Sequence, residues 1–187
     1  MMTFLVKLSN NSVLRFFCLF IVISVYFLDF IQKHLKKGGG IFMIALIQRV
    51  THANVNVNNQ SIGKINAGLL LLLGVEKLDS QKNADELLHK VINYRVFSDN
   101  EGKMNLSLLD IQGELLIVPQ FTLPANTQKG MRPSFASAAP PDIGKELYEY
   151  FIECANKAVQ IVNTGEFGAD MQVTLTNDGP VTFWLRK

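Results

Sequence analysis

Two cysteines, Cys18 and Cys154, are all that the 187 residues contain, too few for the disulfide framework of a small secreted domain. Charged residues make up only 18% of the chain against 48% hydrophobic, which excludes a mainly disordered protein. The three histidines, His34, His52 and His89, stand far apart, and no Cys or His pair has metal-ligand spacing, so a structural zinc site is excluded. Neither Gly-x-x-x-x-Gly-Lys-[Ser/Thr] nor Gly-x-Gly-x-x-Gly occurs, which removes the common phosphate and dinucleotide loops. No local motif suggests a Ser-His-Asp set. An enzyme built on this sequence must work without the usual side-chain nucleophile.

What is present divides at residue 42. Residues 1–42 hold five Lys/Arg against the single acid Asp29, whereas 43–187 hold thirteen Lys/Arg and fifteen Asp/Glu, a net −2. The formal +2 of the whole chain is thus an N-terminal property, and a strongly cationic surface spread over the main body is not expected. Phe16–Leu28 is an uncharged apolar run of 13 residues, short for a membrane span of about 20. It fits a signal-peptide core, but no small-x-small cleavage site follows. Gly38-Gly39-Gly40 forms a flexible break, and Met43 opens a new pattern. A membrane anchor, a targeting peptide and sequence upstream of the true start compete. We favour the last, with 43–187 as the functional domain and a membrane partner only if residues 1–42 are real.

Within 43–187, Ile44–Val50 reads as a strand, and Ala53, Val55 and Val57 alternate with Asn54, Asn56 and Asn58 as in a half-buried one. Asn58–Ser61 is turn chemistry, after which Ile62–Ile65 returns as a hairpin partner. Gly68–Val75 is apolar on both faces, as a central strand covered on both sides must be. Asn83 with Glu86 reads as the cap of a first helix whose Ala84, Leu87, Leu88, Val91 and Ile92 share a face. A second helix follows Pro140-Pro141-Asp142, with Leu147, Tyr150, Phe151, Cys154, Ala155, Ala158 and Val162 as its apolar stripe. On that stripe Cys154 reads as a core residue and not as a nucleophile. Glu114–Val118, Phe121–Leu123, Gln172–Leu175 and Val181–Leu185 read as further strands. This order predicts an α+β fold, a mixed and largely antiparallel sheet with two covering helices.

Two stretches hold residues that packing alone would not select. In Pro119-Gln120-Phe121-Thr122-Leu123, followed by Pro124, a proline removes a ladder donor, so the segment is expected at an edge or bulge. There, backbone N–H groups and the Gln120 and Thr122 side chains can face a cleft. The other stretch, Asn177-Asp178-Gly179-Pro180-Val181-Thr182, reads by itself as a turn before the last strand.

With Ile47–Val50, Leu72–Glu76, Gly102–Ser107, Gln120–Leu123, Arg132–Phe135, Phe167–Met171 and Asn177–Thr182 in this order, the chain resembles the D-aminoacyl-tRNA deacylase family over essentially all of 43–187. The family's usual start matches Met43. The resemblance implies a cytoplasmic homodimer with an open barrel. Such an enzyme hydrolyses the ester joining a D-amino acid, or glycine mischarged on tRNA(Ala), to the tRNA 3′ end, with no metal, no cofactor and no DNA partner. It implies Gln120, Phe121 and Thr122 as the catalytic floor, and Gly179-Pro180 as a Gly-cisPro chiral gate inserted from the other subunit. Arg49, Asn177, Met171 and Phe167 are supporting residues; Arg49, Lys129 and Arg132 are candidates for phosphate or partner contacts. Thr122 lacks a base to activate it, so a scheme assisted by the ribose 2′-hydroxyl is expected. Two positions depart from the family pattern: Pro119 stands where Ser is usual and Pro124 where Tyr is common. A sister group that removes L-alanine also has proline at the first slot, with its Gly-Pro in trans. Phe121 and the Gly-Pro-Val-Thr ending favour D-specificity. L-alanyl-tRNA hydrolysis and non-catalytic tRNA binding are the alternatives.

Overall fold

The structure, a computed structural model, describes residues 42–128 and 130–187. The readings made above on residues 1–41 and on Lys129 lie outside these. Strand β1 (Ile44–Val57) is the organiser, long enough at 14 residues to pair with three others. Antiparallel to it run β2 (Gln60–Ile65) and β3 (Gly68–Gly74) along one edge and β8 (Gln172–Arg186) along the other. The turn into β2 uses Asn58 and Asn59 at φ of 50° and 62°, a conformation asparagine tolerates better than other side chains. Beyond β3 the sheet continues in parallel through β6 (Glu114–Pro119) to β7 (Val162–Thr164). Asn163 Nδ2 then donates to the Lys64 carbonyl at 2.9 Å, so β7 reaches back to β2 and the mixed sheet nearly closes into a barrel. Phe97–Ser98 (β4) and Met104–Leu106 (β5), too short to carry a periodic pattern, form a separate small hairpin.

Alternation along β3 builds two cores. Leu69, Leu71 and Leu73 face helices α1 (Gln81–Ile92) and α2 (Pro141–Ala158), packing with Leu87, Val91, Leu147 and Phe151. Leu70 turns the other way, into the barrel with Val50, Val55, Ile65, Leu116 and Val118. This explains why Gly68–Gly74 carries no polar face. Each fully buried leucine contributes about 1.5–3 kcal/mol, so both layers anchor the end of the strand.

Several expectations need correction. The cap of α1 is Ser80, whose N–H donates to Asn83 Oδ1 at 3.0 Å; Asn83 is the reciprocal member of the box, one turn inside the helix. Phe121–Leu123 is a turn, because β6 stops at Pro119. That proline does not mark a sheet edge: β6 is interior, and Pro119 sits at its last residue, beyond the register shared with β7. The two closing strands are one, β8, with the Asn177–Thr182 stretch as a bulge inside it. Finally, Val162 belongs to β7, and the buried tyrosine of α2 is Tyr148, while Tyr150 packs partly buried against the same core. No helix among the described residues is long and apolar enough to cross a membrane.

Candidate functional site

β3 and β6 run parallel, so their carboxyl ends open at the same edge of the sheet. A cleft of about 530 Å³ lies there. Leu73, Val118 and Pro119 supply its sheet side, followed directly by Gln120 and Phe121. Gly74 makes this turn fit: a Cβ there would lie 2.9 Å from Leu123 Cβ and 3.0 Å from Pro124 Cδ. The Gln120 N–H continues the ladder by donating to the Leu73 carbonyl at 2.7 Å. Its side-chain amide donates to Thr122 Oγ1 at 2.6 Å, which fixes both polar side chains in one pair. The next two amides, of Phe121 and Thr122, have no bonded acceptor among the described residues.

The opposite wall comes from loops and α2. Phe135 stacks on Phe121 with ring centroids 5.4 Å apart, and both stay exposed at 43% and 64%. Exposed aromatic faces at a cleft mouth suit flat ligands, because stacking releases ordered water from both surfaces. Phe167 and Met171, from the β7–β8 connection, complete the far side. Phe167 rests on Tyr148, centroids 6.0 Å apart. The Tyr148 hydroxyl lies 3.0 Å from the carbonyls of both Ile117 and Gly165, tying β6 to the segment leaving β7. Burial pushes its pKa above the ordinary range for a phenol, so it stays protonated as a donor. The sequence concealed Tyr148, since a tyrosine in a helical apolar stripe reads as packing.

Among the described residues Tyr148 is the only titratable one lining the cleft. None of the described residues lining the cleft brings a carboxylate, imidazole, thiol or amine that could abstract a proton. His52 is exposed on β1 and bonds Thr51 and Thr176 instead. Among the described residues no cluster of His, Cys, Asp and Glu could hold a metal ion.

A second feature lies outside the cleft lining. The β8 bulge presents Gly179 and Pro180 to solvent, joined by a cis peptide bond. Gly179 has φ of +136°, and a Cβ on it would meet Val181 Cγ2 at 2.6 Å and Arg49 Nη2 at 3.1 Å. The bulge is braced from within. Arg49, directly opposite on β1, donates from Nε to the Asp178 carbonyl at 3.0 Å and pairs with its carboxylate at 3.1 Å. Its Nη1 donates to the Val96 carbonyl at 2.6 Å. Asn177 Oδ1 accepts from the Val181 N–H at 2.6 Å, while Asn177 Nδ2 donates to Thr182 Oγ1 at 2.9 Å. The structure thus groups the anticipated residues in two sets: Gln120, Phe121, Phe167 and Met171 line the cleft with Thr122 bonded beside them, and Arg49, Asn177, Gly179 and Pro180 form the bulge. Arg132 is exposed.

This fold is shared with solved structures. One described as a probable eukaryotic D-amino acid tRNA deacylase has a TM-score of 0.69 at 18% identity, covering 78% of this chain and all of the other. Another, the c-Myc DNA Unwinding Element Binding Protein, has a TM-score of 0.73 at 41% identity, covering 76% and 97%. The family model and the curated relatives, not the fold alone, place the chain in the deacylase class of ester hydrolases. The family described as D-Tyr-tRNA(Tyr) deacylase matches residues 46–186, and the chain belongs to it. The D-aminoacyl-tRNA deacylase of Haemophilus influenzae (strain PittEE) is 65% identical over 144 residues, covering 76% of this chain and 99% of that protein. That of Pseudoalteromonas translucida (strain TAC 125) is 64% identical over 143 residues, with the same coverage.

Proposed function

We propose that the protein hydrolyses the ester of D-aminoacyl-tRNA, and of glycine mischarged on tRNA(Ala), in a homodimer whose two clefts each receive the Gly179-Pro180 bulge of the partner. The aminoacylated 3′ end of tRNA enters at the aromatic mouth formed by Phe121 and Phe135. The amides of Phe121 and Thr122 stabilise the oxyanion, an effect of about 2.7–4 kcal/mol per donor. With no side-chain base among the described residues that line the cleft, the ribose 2′-hydroxyl of the substrate assists the attacking water, and Gln120 and Thr122 shape the floor. The single observation that supports this mechanism is a cleft whose only titratable group among the described residues, Tyr148, is committed to two carbonyls.

Chirality is read by exclusion. A site that accepts every D side chain cannot select by affinity for one, but a stiff wall can reject the L arrangement. The bulge suits that task, since Arg49 and Asn177 fix its backbone while Gly179 offers no side chain. The reaction belongs in the cytoplasm, where aminoacyl-tRNA is made, and residues 1–42 take no part in it. Folded protein incubated with D-tyrosyl-, L-tyrosyl-, glycyl- and L-alanyl-tRNA tests the assignment. Rapid loss of the D-tyrosyl and glycyl esters is expected. Selective loss of the L-alanyl ester would instead assign the chain to the sister activity.

A further inference from the structure

The far wall of the cleft hangs on a short piece of chain that no catalytic argument has used. After β3, Val75, Glu76 and Lys77 run antiparallel to Ser137–Ala139: the Ala139 N–H donates to the Val75 carbonyl at 2.9 Å, and the Lys77 N–H to the Ser137 carbonyl at 3.1 Å. Glu76 and Ala138 face each other across this bridge. Val75, Ala138 and Ala139 all line the cleft. The bridge is only a few residues long and, among the described residues, has no neighbouring strand to hold its register. What closes it is Asp79. Its Oδ2 accepts from the Glu76 N–H at 2.7 Å, and its own N–H donates to the Glu76 carbonyl at 3.1 Å, so both polar groups of the central bridge residue are engaged by one aspartate.

The second carboxylate oxygen, Oδ1, is buried with no hydrogen-bond partner among the described residues. Leaving such an atom unpaired is costly, and folds retain that arrangement where another requirement holds the residue in place. Burial pushes the Asp79 carboxyl up to about 7, opposed by the Glu76 backbone bond and reinforced by the Glu76 charge. Arg186 of β8 in turn faces Glu76, and Phe135–Ala139 contributes no titratable group.

We infer that Asp79 is a positioning residue for the cleft: it locks the Glu76–Asp79 turn from which the Ser137–Ala139 wall is suspended. The inference rests on the reading that this cleft holds the aminoacyl end of the substrate.

Two readouts on the full chain separate the inference from that reading. The first is amide hydrogen exchange without substrate, comparing wild type, Asp79→Ala and Asp79→Asn. In Asp79→Ala the Lys77 and Ala139 amides should exchange about tenfold faster or more, while β3 and β6 amides keep their protection. Asp79→Asn, which retains an acceptor for the Glu76 N–H, should restore most of it. The second is steady-state hydrolysis of D-tyrosyl-tRNA, where Asp79→Ala should raise KM about tenfold with a much smaller change in kcat, and Asp79→Asn should recover it. Unchanged exchange at Lys77 and Ala139 in Asp79→Ala overturns the inference whatever the kinetics. Faster exchange with wild-type KM also overturns the positioning role, and does so by showing that the substrate is held elsewhere.

Discussion

Replacing Tyr148 with Phe removes one oxygen and leaves the ring stacked on Phe167. The hydroxyl serves two buried carbonyls, each 3.0 Å away. Ile117 keeps a second donor, since the Gly165 N–H bonds its carbonyl at 2.8 Å. The Gly165 carbonyl has no other bonded donor among the described residues, so the variant strands one buried acceptor. That costs about 1–3 kcal/mol. For a chain of this size each kcal/mol lowers Tm by about 2–4 °C, so a drop of about 5 °C is expected. Ile117 lies two residues before Pro119, and loosening this tie shifts the floor that Gln120 and Phe121 provide. Single-turnover hydrolysis of D-tyrosyl-tRNA should therefore slow by about threefold to tenfold, with its pH dependence unchanged between pH 6 and 9. Thermal melts and rapid-quench assays on Tyr148→Phe measure both. A loss of several thousandfold at unchanged Tm would refute the reasoning, because Tyr148 would then be a chemical participant.

Three other outcomes are expected. Gly179→Ala places a methyl against Val181 and Arg49 at φ of +136°, a strain of about 1–3 kcal/mol. It should cut the D-over-L preference by about tenfold or more, and equal losses on both esters would remove the bulge from chiral selection. Asp79 has its carboxyl raised from 3.8 to about 7 on folding, so the folded state holds this proton more tightly than the unfolded one. Its contribution to stability is largest below about pH 4 and falls as pH rises toward 7, by about 1–2 kcal/mol once solvent screening is discounted. Melts from pH 4 to 8 should show that slope in the difference between wild type and Asp79→Asn, and a flat difference would contradict the burial argument. Residues 43–187 expressed alone should keep activity within about twofold, and an inactive or unfolded product would make residues 1–42 part of the working protein.

Much of this site was readable from residues that violate ordinary rules. A proline at the end of an apolar strand and an Asn-Asp-Gly-Pro run have little reason to exist in a packed barrel, and both mark the segments on which the proposed function rests. Their settings were harder to read. Asn-Asp-Gly-Pro looks like a turn between two strands because its local chemistry is that of a turn; only the long-range register with β1 shows that it interrupts a single strand. Phe121–Leu123 looked like a strand because it is apolar, yet Phe121 is exposed in a turn at the cleft mouth. Ser80 and Asn83 are both good cap residues, and the choice between them depends on which backbone groups meet. Phe167 and Met171 carried no local signal and were reached through family resemblance alone. Tyr148 and Asp79 were invisible, since their roles depend on carbonyls and amides distant along the sequence or on burial that composition does not reveal.

The central claim is that the bulge of one protomer gates the cleft of its partner. A purified heterodimer tests it, combining one protomer carrying Ala138→Trp, which fills its cleft, with another carrying Gly179→Ala. The only open cleft then faces the only unaltered bulge. The account predicts about half the wild-type rate per dimer on D-tyrosyl-tRNA, with full rejection of L-tyrosyl-tRNA. A heterodimer that hydrolyses both esters as indiscriminately as the Gly179→Ala parent would show that each bulge acts on its own cleft, and would contradict the account.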